Sequence, residues 1–68
     1  MTIADIYKPG DKCIIRAGWG YVLCHMNDFK RAKVDTPCTV YAVQGGEIYV
    51  RLEDGSAAHS NNSAIVKV

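Results

Sequence analysis

The most reactive side chains in this sequence are three cysteines, Cys13, Cys24 and Cys38, and two histidines, His25 and His59. Thiolate and imidazole are the usual ligands of zinc, but zinc sites draw on close Cys pairs of the C-x₂₋₄-C kind. No two cysteines here fall within that spacing. The plainer reading is three free thiols in a reducing compartment, with Cys13 and Cys38 as small apolar fillers on strands. A Cys–His nucleophile pair fares no better. Cys24 and His25 are adjacent, so on a strand they point to opposite faces. Cys24 with His59 would need a third, orienting group and an oxyanion pocket, and no signature supplies either. No catalytic residue, metal ligand or cofactor is therefore expected, and the chain reads as a non-enzyme.

The rings and cations of the first half are more informative. Trp19 stands between Gly18 and Gly20, with Tyr21 next, and Phe29-Lys30-Arg31-Ala32-Lys33 combines a ring with three cations. Trp, Tyr and Arg are enriched where proteins dock. Trp19, Tyr21, Phe29 and Arg31 are accordingly the candidate protein-binding residues. Against this, Trp19 has a competing role as a core ring, since a small domain uses each large ring it has. Nucleic-acid binders use cations for phosphates and rings for base stacking, which makes Lys30, Arg31 and Lys33 an alternative nucleic-acid-binding set. Solvated loop charge is the competing account of that cluster. If the early segment is not the working surface, the strand face carrying Tyr49 and Arg51 is the next candidate.

Composition bounds these readings. The 68 residues make a single domain, 1–68, and 49% are apolar, which is ordinary for a globular chain and argues against disorder. A domain this short buries only roughly 60% of the surface its unfolded chain exposes, leaving little material for a deep pocket. No run approaches the roughly 20 apolar residues of a membrane span. The first eight residues lack a basic start followed by an apolar stretch, so no secretory signal is read there and a cytoplasmic location is expected. The net charge of +1 is unevenly spread. Residues 1–33 hold Lys8, Lys12, Arg16, Lys30, Arg31 and Lys33 against Asp5, Asp11 and Asp28. Residues 34–68 hold Arg51 and Lys67 against Asp35, Glu47, Glu53 and Asp54. Such a dipolar surface permits an anionic partner without requiring one.

The elements that must carry these groups are strands. Lys12–Arg16 is a β-favouring run after the turn Lys8-Pro9-Gly10-Asp11. Residues 17–35 read as a long loop carrying a partial strand over Tyr21–Met26, with a short helix over 27–33, capped by Asn27 or Asp28, as the other option. Cys38–Val43 is β-branched and aromatic. Glu47–Glu53 alternates, with Ile48, Val50 and Leu52 on one face and Tyr49 and Arg51 on the other. A two-residue turn at Gly45-Gly46 would put Tyr41 opposite Val50, whereas a three-residue turn including Gln44 would set Tyr41 against Tyr49. Asp54-Gly55 marks another hairpin, Ser56–Ser60 a short return strand, Asn61-Asn62-Ser63 a tight turn, and Ala64–Val68 a closing strand. About five strands with no covering helix suit a small barrel.

That order of elements resembles an SH3-like barrel. The residues that carry the likeness are Pro9-Gly10-Asp11-Lys12, the long early loop, the Gly45-Gly46 hairpin, the Asp54-Gly55 turn and Asn61-Asn62-Ser63 before the last strand. Two groups are similar: small bacteriophage proteins, with their Gly-Asp-Lys start and Glu-Asp-Gly hairpin, and the SH3-like peripheral subunit of photosystem I, at Gly10-Asp11-Lys12 and Asn61–Ile65. The middle of the chain departs from the photosystem subunit. The resemblance implies an all-β, five-stranded SH3-like barrel with a long early loop, acting as a docking module without its own chemistry. The phage likeness implies an accessory protein that binds and modulates a host protein complex. A KOW- or Tudor-like nucleic-acid-binding module and a peripheral structural subunit of a larger assembly are the alternatives.

Overall fold

The computed structural model describes residues 6–68, and the reading of the N-terminus over residues 1–5 lies outside them. Seven strands form one antiparallel sheet: β1 (Lys12–Ile15), β2 (Gly20–Leu23), β3 (Asp28–Arg31), β4 (Thr36–Gln44), β5 (Glu47–Leu52), β6 (Ala57–Ser60) and β7 (Ile65–Lys67). Their order is β3-β2-β6-β5-β4-β1-β7, and the end strands β3 and β7 do not pair with each other. The chain is thus all-β, with seven strands where five are read from the sequence. The additional two are β2, which overlaps the partial strand read over Tyr21–Met26, and β3, which lies in the remainder of the segment read as a long early loop.

That segment is a hairpin. Tyr21 pairs with Lys30 and Val22 with Phe29, so the short helix considered over 27–33 does not form. The reversal at its tip is made by Asn27, whose positive φ of 50° suits an amide side chain better than a branched one. Its base is clamped. Gly18 donates its amide to Ala32, Ala32 to Trp19, and Arg16 to Ala64, while the Asp35 carboxylate takes the Ala17 N–H at 2.9 Å. Isolated hairpins are marginal in water, so pairing of Val22 with His59 and Leu23 with Ala58 on β6 is what holds this one in the sheet.

The core follows from period-two alternation. Cys13 and Ile15 on β1, Cys38 and Val40 on β4, Ile48 and Val50 on β5, Ala58 on β6 and Ile65 on β7 are all buried and form one cluster. Tyr21, Leu23, Val43 and Leu52 pack against it. A flat sheet without a second layer would leave this face in water. Instead Ile15, Ile48, Val50, Ala58 and Ile65 are fully buried, and the smallest extent of the molecule is 18 Å. The sheet therefore curls around this cluster, while its end strands stay unpaired. Tyr7 covers one end and donates its hydroxyl to the Ile65 carbonyl at 2.8 Å.

The β4–β5 hairpin decides which rings share a face. Gln44 pairs with Glu47, so the turn is the two-residue Gly45-Gly46, with φ of 56° and 82°. Two successive positive φ values make a type I′ turn, whose twist matches the strands and which side chains with Cβ rarely tolerate. Beyond it the ladder runs Val43–Ile48 and Ala42–Tyr49, then shifts so that Val40, not Tyr41, meets Val50. Tyr41 is the extra residue of a β-bulge. The two-residue turn agrees with one of the two registers drawn from the sequence. The bulge removes its consequence, because Tyr41 leaves the apolar face.

Candidate functional site

Strand register builds a row of rings on the outer face of the sheet. Reading across neighbouring strands, Phe29 on β3 faces Val22 on β2, Val22 faces His59 on β6, His59 faces Tyr49 on β5, and Tyr49 faces Ala42 on β4. The bulge adds Tyr41 to the end of this row. Three of the rings touch in sequence. Tyr41 and Tyr49 meet edge-on with centroids 6.1 Å apart, and Tyr49 and His59 lie tilted at 5.0 Å. The Arg51 guanidinium sits 5.6 Å over Tyr41 and donates to the Gly55 carbonyl at 3.0 Å. His59 Nδ1 lies 3.2 Å from the Glu47 carboxylate. Contacts between rings on adjacent strands stiffen a sheet, and a half-exposed row of them is also a ready apolar contact surface.

Each end of the row opens into a concavity. One, of about 160 Å³, is lined by Phe29, Val22, His59, Glu47 and neighbouring backbone of β2 and β6. The other, of about 380 Å³, is lined by Lys12, Pro37, Thr39, Tyr41, Arg51, Leu52 and Glu53 among others. The first holds a carboxylate beside an imidazole. The second holds two cations and one carboxylate. The face is polarised from end to end.

The four residues singled out as protein-binding divide between the two sides of the sheet. Phe29, 61% exposed, lies on the outer face with its ring laid directly over Gly20. Arg31 pairs with Gly20 in register, shares that face and donates to the Gly18 carbonyl at 3.0 Å. Tyr21 points the other way and packs against the core. Trp19 is 41% exposed at the base of the hairpin and stands outside the core cluster. Of the basic set, Lys30 alternates to the side opposite Phe29 and Arg31 and pairs with Asp28 at 3.7 Å, and Lys33 is exposed beyond β3. Lys30 and Arg31 therefore do not converge on one surface.

The cysteines are placed by the same register. Cys13 and Cys38 are directly opposed on β1 and β4, buried, with sulfurs 3.3 Å apart. The hydrogen bond with Cys13, and then burial, push the Cys38 thiol up, which keeps it protonated. Among the described residues no three His, Cys, Asp or Glu side chains are placed to hold a metal ion. Cys24 meets the Tyr41 hydroxyl at 3.9 Å, while His59 is engaged with Glu47, so the two are not set as a nucleophile and its base. Burial, and then the Cys24 thiol, raise the Tyr41 phenol above its ordinary value.

Sequence alternation already put Tyr49 and Arg51 on one outward face. Nothing local signalled that Tyr41 and His59 join them, since that depends on a bulge and on a pairing between strands. Among the described residues no helix is long and apolar enough to cross a membrane. No family model, curated protein or solved structure matches this chain.

Proposed function

We propose that this chain is a non-catalytic protein-docking module built on an SH3-like barrel, and that its working surface is the outer face running from Phe29 to Tyr41. The barrel reading is supported by the order β7-β1-β4-β5-β6, a five-strand path in which β7 returns to pair with β1. The β2–β3 hairpin fills the long connection after β1. The phage-like resemblance extends the reading to an accessory role, in which docking alters a host complex.

One observation carries the choice of surface: the unbroken row Phe29–Val22–His59–Tyr49–Tyr41, with Arg51 stacked at its end. Rings held by neighbouring strands lose little freedom when a partner covers them, so the cost of ordering the interface is low. Protein is favoured over nucleic acid because Lys30 and Arg31 lie on opposite sides of the sheet. Phosphate binding needs cations gathered along one track.

The test is capture from host cytosol by the immobilised wild-type chain, repeated with Phe29→Ala and Tyr49→Ala. A specific protein retained by wild type and weakened by about 1–2 kcal/mol or more in each variant supports the face. Retention of nucleic acid, with an affinity that falls steeply with salt and on Lys30→Ala or Lys33→Ala, would replace it with the KOW- or Tudor-like reading. Tight incorporation into an assembly, unaffected by either ring variant, would favour the structural-subunit role.

A further inference from the structure

We propose that the concavity at the Tyr41 end of this face is a seat for an acidic, extended segment of a partner protein. The seat deepens the docking reading and rests on it. Three residues directly opposed across β1, β4 and β5 make its floor: Lys12 faces Thr39, and Thr39 faces Arg51. Two strand spacings put the cations' backbones about 10 Å apart, with a hydroxyl between them. Both residues line the same groove of about 380 Å³, which therefore carries two cations.

Two features make this a prepared site rather than a pair of surface cations. Arg51 is already oriented, by its hydrogen bond to the Gly55 carbonyl and its place over the Tyr41 ring. A guanidinium held in advance loses less freedom on meeting a carboxylate. In addition, the ion pairs among the described residues are Lys30–Asp28, His59–Glu47 and Lys67–Asp11, and none neutralises Lys12 or Arg51. The charge is available to a ligand.

The walls select a peptide over a nucleic acid. Pro37, Leu52 and the Tyr41 ring are apolar, and the Glu53 carboxylate among the lining residues disfavours a continuous polyanion. A peptide can place one or two carboxylates between Lys12 and Arg51, lay an apolar side chain on Tyr41 and keep its remaining charge away from Glu53. Continuity does the rest, since Tyr41 belongs both to the groove and to the aromatic row. A partner segment that covers Tyr49 is led into the groove.

The test is selection of a library of displayed random short peptides on the immobilised chain. It is followed by affinity measurement of the enriched peptides on wild type and on Lys12→Glu, Lys12→Arg and Tyr49→Ala. Enriched peptides rich in Asp or Glu, weakened about tenfold by Lys12→Glu and restored by Lys12→Arg, are the expected result. The same peptides with Gln and Asn in place of their acids should bind about as poorly as the charge-reversed variant does. Lys12 is exposed and outside every ion pair above, so its variants should keep the circular dichroism of the wild type. Enriched peptides that are neutral, lost on Tyr49→Ala and indifferent to Lys12→Glu would overturn the acidic seat while leaving the docking face standing. No enrichment over a blank surface would overturn both. A labelled oligothymidylate that binds more tightly than any peptide, and is lost on Lys12→Glu, would assign the groove to nucleic acid and overturn the proposal as well.

Discussion

Replacing Gly20 by alanine should change sign with the residue at position 29, whose ring reaches diagonally across to it. Gly20 has an ordinary negative φ open to any residue, and the atoms nearest to a methyl placed there all belong to the Phe29 ring. In the wild type the ring must swing off its position. Forcing a side chain about 30° from its rotamer costs about 0.5–1.5 kcal/mol, and the lost cross-strand aromatic contact adds about 0.2–1 kcal/mol. Against that, removing a glycine from a strand gains about 0.5–1 kcal/mol through lower backbone entropy in the unfolded chain. The net effect in the wild type is a destabilisation of about 0.8 kcal/mol. In a Phe29→Ala background the obstacle is gone and only the gain of about 0.5–1 kcal/mol remains. The two backgrounds should therefore differ by about 1.5 kcal/mol, well above the 0.3–0.5 kcal/mol within which independent sites add. Phe29 is mostly exposed, so its removal leaves the domain folded and the cycle measurable. Urea unfolding of the four proteins, followed by circular dichroism, gives the coupling directly. Gly20→Ala costing the same in both backgrounds would refute the claim that Phe29 rests on Gly20, and with it the position of the first ring in the outer row.

Three further outcomes follow from burial and charge. Ile48→Ala removes a fully buried side chain and should cost about 2–5 kcal/mol in urea unfolding, whereas Val34→Ala, at a mostly exposed position, should stay within about 0.5 kcal/mol of wild type. A thiol reagent added to the native chain should modify Cys24 first, with Cys13 and Cys38 reacting only as fast as the core opens; mass analysis of the early product reads which thiol is labelled. The Lys8 amide and then Lys67 hold the Asp11 carboxyl below the ordinary range, and the Ser56 amide does the same for Asp54. A carboxyl depressed by folding stabilises above its unfolded value and loses that contribution as pH falls through the folded one. Thermal stability should thus decline as pH drops below about 4, and Asp11→Asn with Asp54→Asn should flatten that limb.

Much of the fold was legible because it rests on local chemistry. The alternation through Ile48, Val50 and Leu52 marked β5 and its buried face. Gly45-Gly46 and Asp54-Gly55 marked the turns on either side, and β1, β4, β6 and β7 followed from the runs between turns. The hairpin of β2 and β3 was not legible as such, because four-residue strands with mixed exposure carry no clean period. They are strands because Val22 and Leu23 find β6 and because the base of the hairpin is clamped to Asp35 and Ala64.

The candidate site divides along the same line. Alternation put Tyr49 and Arg51 outward, and residue type marked Trp19, Tyr21, Phe29 and Arg31 as rings and a cation able to dock. Which of them share a surface was decided by register: Tyr21 and Phe29 sit on adjacent strands yet face opposite sides, because side chains alternate every residue. The bulge at Tyr41 is the same effect in reverse. One extra residue in β4 shifts the phase, turns Tyr41 from the core to the row of rings, and lets Val40 fill the place opposite Val50. A sequence carries the period of a strand, but its phase relative to a neighbour is set only when the two strands pair and the larger side chains compete for the buried face.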